Sequence, residues 1–206
     1  TFEGIDFCGK SVQLELLTQK IVNLDKSYLI IREPGGTSVS EKIRDVLLQR
    51  SDEEMNPFSE IFLYSAARAQ LTQHKIIPGL KDGNIILCDR FFDSTTAYQG
   101  YGRGIELDFV KQINRMATKN ILPDITFLLD ITIDEMEKRQ KLSNTTLDRM
   151  EQESKDFFER VRQGYLKIAQ CEPDRFVIID GSKTIPVIEN EIWKHFQKYL
   201  QGGEDD

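Results

Sequence analysis

Near its start the chain carries a run of eight residues with glycine at its first and sixth positions, Gly4-Ile5-Asp6-Phe7-Cys8-Gly9-Lys10-Ser11. The run matches G-x-x-x-x-G-K-[ST], in which glycines let the backbone curl so that successive N–H groups point at phosphate oxygens. Lys10 would reach the β and γ phosphates, and the Ser11 hydroxyl would bind Mg²⁺. The helical pattern that follows would add its positive N-terminal end to the same site. We therefore expect all eight residues to form an ATP or GTP phosphate site, which we call the phosphate loop.

Short apolar, β-branched runs alternate with segments of helical spacing along the rest of the chain. The runs span residues 28–31, 85–88, 125–130 and 176–180, with a stub at residues 1–2. Nearly continuous apolar runs are typical of strands buried on both faces, as in parallel sheets. After the phosphate loop, one helical face collects Val12, Leu16, Leu17, Ile21 and Leu24. The sequence thus predicts an α/β fold of three layers, with a mainly parallel sheet flanked by helices.

Helix-start signals agree with this alternation. Two pairs have the spacing of capping boxes, Ser38 with Glu41 and Thr132 with Glu135. A third start is indicated by Asn56-Pro57, which places a capping residue before a proline at the first helical position.

Composition narrows the class of protein. A chain of 206 residues is long enough for one compact core, and we expect a single domain over residues 1–201 with a polar tail at 202–206. The net charge of −7 argues against electrostatic binding of nucleic acid or of an anionic membrane over a broad surface, so neither is expected as a partner. No apolar run approaches the roughly 18 residues that span a bilayer.

The cysteines and the first residues bear on cellular context. Cys8, Cys88 and Cys171 are odd in number and far apart, which is typical of reduced cytosolic thiols rather than disulfides.

The chain lacks an initiator Met and begins just before a motif that needs a strand in front of it, so we expect a trimmed N-terminus. His74 and His195 fall on predicted helices away from the motifs and are not expected to be catalytic.

The pair Asp89-Arg90, at the end of the third apolar run, narrows the chemistry. An acid at a strand's carboxyl edge can hold the waters of a metal ion or polarise an attacking oxygen, and the arginine can bind a second phosphate. The alternative is a solvated ion pair at a strand end. A guanine-reading N-K-x-D segment, expected in a GTPase, is absent from the sequence. The pair therefore favours a kinase with a phosphorylated acceptor.

Six motifs make the chain resemble the thymidylate kinases, from residue 2 to about residue 166. They are Phe2-Glu3-Gly4-Ile5-Asp6, Arg32-Glu33-Pro34-Gly35-Gly36-Thr37, Tyr64-Ser65-Ala66-Ala67-Arg68, Asp89-Arg90-Phe91, Ala97-Tyr98-Gln99-Gly100 and Leu147-Asp148-Arg149-Met150-Glu151-Gln152-Glu153-Ser154. The resemblance implies a P-loop NTPase fold with a five-stranded parallel sheet and a mobile lid over residues 138–149. It also implies a cytoplasmic homodimer that transfers a phosphoryl group from Mg-ATP to dTMP, giving dTDP for dTTP biosynthesis.

The resemblance assigns roles in dTMP binding. Asp6 would accept a hydrogen bond from the sugar 3′-OH, although it could simply order the loop. Arg90 would hold the dTMP phosphate, joined by Arg32 or by the turn that begins at Pro34. That proline is a candidate for a cis peptide bond, with an ordinary Pro-Gly turn as the alternative.

The base and the sugar would meet a second group of residues. Tyr64 would stack on thymine, and Arg68 would hydrogen-bond a thymine carbonyl; without the resemblance they read as a core aromatic and a surface cation. Thr95 and Gln99 would contact the base. Tyr98 would pack beneath C2′ and exclude a ribose 2′-OH.

Catalysis needs cations on the transferring phosphoryl group, and the resemblance locates them. Some relatives carry an arginine directly after the position of Asp6, but this chain has Phe7 there. The lid should then supply the cation, with Arg139 favoured over Lys141, although a solvated basic helix end is the alternative. Arg149 would anchor the lid or lie near the adenine. The predicted catalytic set is Lys10, Asp89, Arg90 and Arg139, with Ser11 and Asp89 as the Mg²⁺ site.

Two other functions remain open at this point. One is a different nucleotide or deoxynucleoside kinase on the same scaffold, which acceptor preference would reveal. The other is a regulatory nucleotide-binding module that has lost transfer. Such a module would be expected to have lost Lys10, Asp89 or Arg90, and all three are present.

Overall fold

A computed structural model describes residues 1–49, 51 and 53–202. Its centre is a sheet of five parallel strands in the order β2-β3-β1-β4-β5. The strands are β1 (Phe2–Glu3), β2 (Tyr28–Arg32), β3 (Ile85–Asp89), β4 (Thr126–Asp130) and β5 (Phe176–Asp180). The predicted fold class is therefore confirmed. Of the predicted tail at 202–206, residues 203–206 lie outside the described part of the chain.

Several strand bounds differ from the prediction by one residue. β1 spans 2–3 rather than 1–2, β4 begins at 126 rather than 125, and β2 and β3 each run one residue further. The last residues of β2 and β3, Arg32 and Asp89, are register partners. Both side chains thus start at the carboxyl edge of the sheet, where α/β proteins bind ligands.

Helices connect the strands throughout the described residues. They are α1 (Lys10–Val22), α2 (Ser38–Leu48), α3 (Pro57–Leu71), α4 (Ile77–Lys81), α5 (Phe92–Thr95), α6 (Leu107–Thr118), α7 (Ile133–Ser143), α8 (Lys155–Cys171) and α9 (Ile185–Gly202). Two π-helical segments, Thr72–Ile76 and Thr96–Gly102, continue α3 and α5, and a 3₁₀ turn spans Met150–Gln152. None of these helices has the length and apolarity that a membrane crossing requires.

The helix caps follow the sequence signals with one correction. Asn56 and Thr132 cap α3 and α7 as predicted. The predicted cap of α2 at Ser38 is wrong by one residue, because Thr37 accepts the hydrogen bond from the Ser40 N–H at 3.1 Å. Glu41 instead accepts the Gly36 N–H at 2.6 Å, which fixes the turn before the helix.

The core lies on both faces of the sheet. The first four residues of β4 are all buried. Because alternate side chains of a strand point to opposite faces of the sheet, helices must cover both faces here. Against this sheet α1 packs Leu14, Leu17 and Ile21. The face predicted for this helix was partly wrong, since Val12 is 45% exposed and Leu24 lies beyond its end.

Candidate active site

The phosphate loop joins β1 to α1 at the carboxyl edge of the sheet, where β1 is flanked by β3 and β4 and β2 lies one strand beyond β3. Gly4 has φ 135°, and a Cβ there would lie 2.5 Å from the Leu129 carbonyl oxygen, so only glycine fits. Gly9 caps α1 with φ 99°. Phe7 adopts φ 60°, a costly conformation for an aromatic residue and the kind of strain found at functional sites.

Lys10 is buried and turned back into the loop. Its Nζ donates to the carbonyl oxygens of Ile5 at 2.9 Å and Gly4 at 3.2 Å, and contacts Cys8 Sγ at 3.5 Å. The loop therefore holds the ammonium group with carbonyl acceptors at the position where the motif places phosphate oxygens. Ile5 and Cys8 themselves pack into the hydrophobic core.

Ser11 and Asp89, the two residues predicted to bind Mg²⁺, are in direct contact. The Ser11 hydroxyl donates to Asp89 Oδ2 at 2.6 Å. A hydroxyl and a carboxylate are oxygen ligands of the kind Mg²⁺ prefers. Within the described ranges no three or more acidic, histidine or cysteine side chains are grouped so that they could hold a metal ion, so water and nucleotide phosphates would have to complete the coordination.

Asp6, Arg90 and Tyr98 form a closed triangle. Arg90 Nη2 donates to Asp6 Oδ1 at 2.5 Å, and the Tyr98 hydroxyl donates to Asp6 Oδ2 at 2.8 Å. Arg90 Nη2 also lies 3.3 Å from the Tyr98 hydroxyl, above the tyrosine ring. Burial opposes ionisation of Asp6, but the charges of Arg90 and Lys10 and the Tyr98 hydrogen bond hold the pKa of Asp6 below its ordinary value.

Further hydrogen bonds fix Arg90 from behind. Its Nη1 donates to the Gly4 carbonyl at 2.9 Å, and to the hydroxyls of Ser94 and Tyr165 at 3.2 Å each. Both hydroxyls donate in turn to Glu3 Oε2, at 2.6 Å and 2.8 Å. A buried carboxylate on β1 thus orients the arginine through two intermediaries.

Arg68 is buried, and each of its three guanidinium nitrogens has an acceptor. It pairs with Glu33 Oε2 through Nε at 2.7 Å and Nη2 at 2.6 Å. The remaining donors reach Thr95 Oγ1 at 2.8 Å, Asn114 Oδ1 at 3.3 Å and the Phe91 carbonyl at 3.2 Å. Contact with a ligand carbonyl would therefore share or replace one of these bonds.

Two more cations flank the turn after β2, Arg32 at the end of that strand and Arg44 on α2. The Glu33–Pro34 peptide bond is cis, as anticipated for Pro34. Arg32 pairs with Glu41 at 3.0 Å, and Arg44 donates to the Pro34 carbonyl at 3.0 Å. Desolvation and the neighbouring charge of Arg32 lower the pKa of Arg44.

The predicted lid residues lie in different surroundings. Arg139 on α7 donates to the carbonyls of Phe7 and Cys8 at 3.4 Å each and of Gly181 at 2.8 Å. Lys141 is exposed and has no partner among the described residues. Arg149 donates to the Leu47 carbonyl at 2.8 Å, which favours the anchoring role over a place near adenine.

One cavity of about 430 Å³ unites most of these groups. All nine residues expected to contact dTMP line it, together with Phe7, Gly9 and the predicted catalytic and metal residues other than Arg139. These nine are Asp6, Arg32, Pro34, Tyr64, Arg68, Arg90, Thr95, Tyr98 and Gln99. Gly4, Ile5, Cys8, Arg139, Lys141 and Arg149 do not line it.

Four further charged residues of the wall had no role predicted from the sequence: Glu33, Arg44, Asp148 and Glu151. Three of them lie inside the motifs already quoted, at positions to which no role had been given. Arg44 lies in none of these motifs, and it reaches the cavity only because α2 packs against the turn that contains Pro34. Burial raises the pKa of the Glu151 carboxyl.

The chain is similar to known thymidylate kinases over most of its length. The sequence pattern of the family described as "Thymidylate kinase" matches residues 2–192. A thymidylate kinase of Thermoanaerobacter sp. (strain X514) is 44% identical over 200 residues, covering 97% of both chains. One from Chlorobaculum parvum is 45% identical over 205 residues, covering 96% of this chain and 94% of the relative. The crystal structure of thymidylate kinase from Ehrlichia chaffeensis superposes with a TM-score of 0.77 at 33% identity, covering 95% of this chain and 96% of that one.

Proposed function

Because the chain belongs to the thymidylate kinase family and phosphorylates dTMP to dTDP with ATP, we propose that the 430 Å³ cavity is where this transfer takes place. One observation carries the proposal: the residues expected to bind dTMP share this cavity with Lys10, Ser11 and Asp89. Donor and acceptor groups are then close enough for direct transfer between two bound nucleotides.

Sugar and phosphate of dTMP bind at the Asp6–Arg90–Tyr98 triangle. Arg90 offers a guanidinium that can bind phosphate bidentately, and its contacts with Ser94 and Tyr165 hold it in place. Asp6 accepts a hydrogen bond from the 3′-OH of the sugar. The Tyr98 ring, packed edge-on against Phe157, closes the space in which a 2′-OH would lie.

Thymine binds between the α3 side chains and the π-helical segment at 96–102. Tyr64 lines the cavity one helical turn from Arg68, so both reach the same region. Tyr64 stacks on the base, while Arg68 donates to a carbonyl by sharing a bond now made within the protein. Thr95 and Gln99 complete the base site.

ATP binds at the phosphate loop, with its β and γ phosphates replacing the carbonyl partners of Lys10. The oxygens of Ser11 and Asp89 fit a Mg²⁺ ion that accompanies the nucleotide. When bound, the ion neutralises charge on the phosphates. Lys10 and Arg90 stabilise the negative charge that develops during in-line transfer, and no phospho-enzyme is formed.

Arg139 completes the catalytic set after a change of partners. Its guanidinium already touches the carbonyls of Phe7 and Cys8 at the edge of the phosphate loop. A short rearrangement of α7 and the following lid segment brings it onto the transferring group. Asp89 orients the Ser11 hydroxyl and, through it, the donor.

A homodimer is supported by an apolar surface on α3 and its neighbours. Phe58 and Phe62 on α3 are 51% and 54% exposed, and both rings meet Phe109 of α6 edge-on. Val46 on α2 is equally exposed. Light scattering of the wild type and of Phe62→Glu tests this part, with a monomer expected only for the variant.

We place the enzyme in the cytoplasm because its three cysteines are free thiols, two of them buried.

A coupled assay of ADP release tests the proposal. The acceptors are dTMP, dUMP, dCMP, AMP, GMP, UMP and thymidine, with a blank lacking acceptor and a parallel series in EDTA. Strong preference for dTMP, weaker use of dUMP, poor use of UMP and loss of turnover in EDTA support the assigned site. Preference for another monophosphate would discard the base and sugar roles. ATP binding without release for any acceptor would indicate a regulatory module.

A further inference from the structure

Glu60, on α3 behind the cavity, is a fully buried carboxylate with four hydrogen-bonding or ionic contacts. Its Oε1 accepts from Gln99 Nε2 at 2.9 Å and from Arg103 Nε at 3.0 Å. Its Oε2 accepts from Arg103 Nη2 at 3.0 Å and pairs with Arg149 Nη1 at 2.7 Å. Burial favours the neutral acid, but the hydrogen bonds and charge of Arg103, with Gln99 and Arg149, hold the pKa of Glu60 below its ordinary value.

An ionised carboxylate can only accept hydrogen bonds, which determines how the Gln99 amide lies. The amide nitrogen must face Glu60, because a flipped amide would place its oxygen against a carboxylate oxygen. Gln99 lines the cavity, and its Oε1 accepts no hydrogen bond from the part of the chain that the structure describes. A fixed acceptor is therefore available to a ligand.

We infer that Glu60 is a positioning residue that selects the acceptor base by fixing the polarity of the Gln99 amide. The inference rests on the proposed function, in which Gln99 contacts the base. An oxygen at this position pairs with the imide N–H of thymine. Cytosine presents an unprotonated nitrogen there, so two acceptors would face each other in a buried site.

The test is Glu60→Gln, assayed by coupled ADP release with dTMP and dCMP. The substituted amide can donate to the Gln99 oxygen, which frees Gln99 to turn its nitrogen towards the cavity. We expect the ratio of kcat/KM for dTMP over dCMP to fall at least tenfold. The change should appear as a higher KM for dTMP and a lower KM for dCMP, with kcat for dTMP changed less than threefold. A folded variant with an unchanged ratio overturns the inference.

Glu153→Gln is the matched control. Glu153 accepts from the same Arg103 Nη2 at 2.6 Å but has no contact with Gln99. This change removes one carboxylate from the same arginine while the orientation of Gln99 is kept, so the ratio should stay that of the wild type. An equal fall in the ratio for this variant would mean general loosening and would overturn the inference.

Gln99→Met separates the inference from the proposed function and serves if Glu60→Gln fails to fold by thermal melting. It removes the acceptor at similar volume, so KM for dTMP should rise at least tenfold while KM for dCMP does not. An unchanged KM for dTMP would remove Gln99 from the base site and refute its proposed role together with the inference. A raised KM here, combined with an unchanged ratio in folded Glu60→Gln, refutes only the role of Glu60.

Discussion

Replacing Tyr98 by Phe separates two roles assigned to one side chain. The hydroxyl donates to Asp6 Oδ2 at 2.8 Å and accepts from Arg90 Nη2 at 3.3 Å, whereas the ring packs against Phe157 and Tyr165. Removing a hydrogen bond to a charged acceptor costs about 1.5–3 kcal/mol. If that bond persists in the transition state, kcat/KM for dTMP falls roughly 10- to 150-fold. Because the ring remains, discrimination against a ribonucleotide acceptor should be preserved.

The assay compares kcat/KM for dTMP and for 5-methyl-UMP in the wild type, Tyr98→Phe and Tyr98→Leu. The leucine variant lacks the ring and should lose sugar discrimination as well. Tyr101→Phe is the control, since Tyr101 belongs to the same π-helical segment but does not line the cavity. An unchanged kcat/KM in Tyr98→Phe would refute the argument that the hydroxyl orients Asp6. Loss of sugar discrimination in that variant would refute the role of the ring.

Three further changes probe the donor side and the charge of the triangle. Lys10→Ala should lower kcat at least 100-fold while calorimetry shows dTMP binding unchanged, and near-normal turnover would refute the phosphate-loop assignment. Arg139→Ala should lower kcat at least tenfold; an unchanged kcat would move the role to Lys141 or Arg149. Because Arg90 and Lys10 hold the folded-state pKa of Asp6 below its ordinary 3.8, Asp6 contributes stability above that pH and loses it as pH falls towards the folded value. Urea unfolding from pH 5 to 3 should therefore show a smaller acid loss in Asp6→Asn than in the wild type, and parallel curves would contradict this.

The sequence predicted the sheet and most of the cavity wall because both depend on local pattern. β-Branched runs fixed four strands to within one residue, and the glycines of the phosphate loop have the positive φ values that the motif requires. Fixed motifs also predicted nine residues for dTMP binding, and all nine line one cavity. The cap of α2 was predicted one residue too late, because Thr37 and Ser38 are both residue types that cap helices. Glu41, the predicted partner of Ser38, accepts a hydrogen bond from the Gly36 N–H instead.

What the sequence could not give are contacts between distant segments. Glu60 looks like an ordinary acid near the start of a helix, and only packing brings Gln99 and Arg103 onto it. Arg139 was expected in the lid near the phosphates, yet it also pairs with Glu135 of its own helix and donates to the Gly181 carbonyl after β5, at 2.8 Å each. No pattern in the sequence links Arg139 to Gly181, because the turn after β5 contacts α7 only in the folded protein.

The cations assigned to phosphate share one further property: each donates to carbonyl groups of the phosphate loop. Lys10 donates to the Gly4 and Ile5 carbonyls, Arg90 donates to Gly4, and Arg139 donates to Phe7 and Cys8. A buried cation without acceptors would be strongly destabilising, so the phosphate loop supplies carbonyls in place of phosphate oxygens. Bonds from a cation to a charged phosphate oxygen are about twice as strong as those to a neutral acceptor, which favours the exchange when nucleotide enters. Part of the binding energy of ATP would therefore be spent on releasing these bonds, and a change at Lys10 would affect Arg90 because both donate to the Gly4 carbonyl.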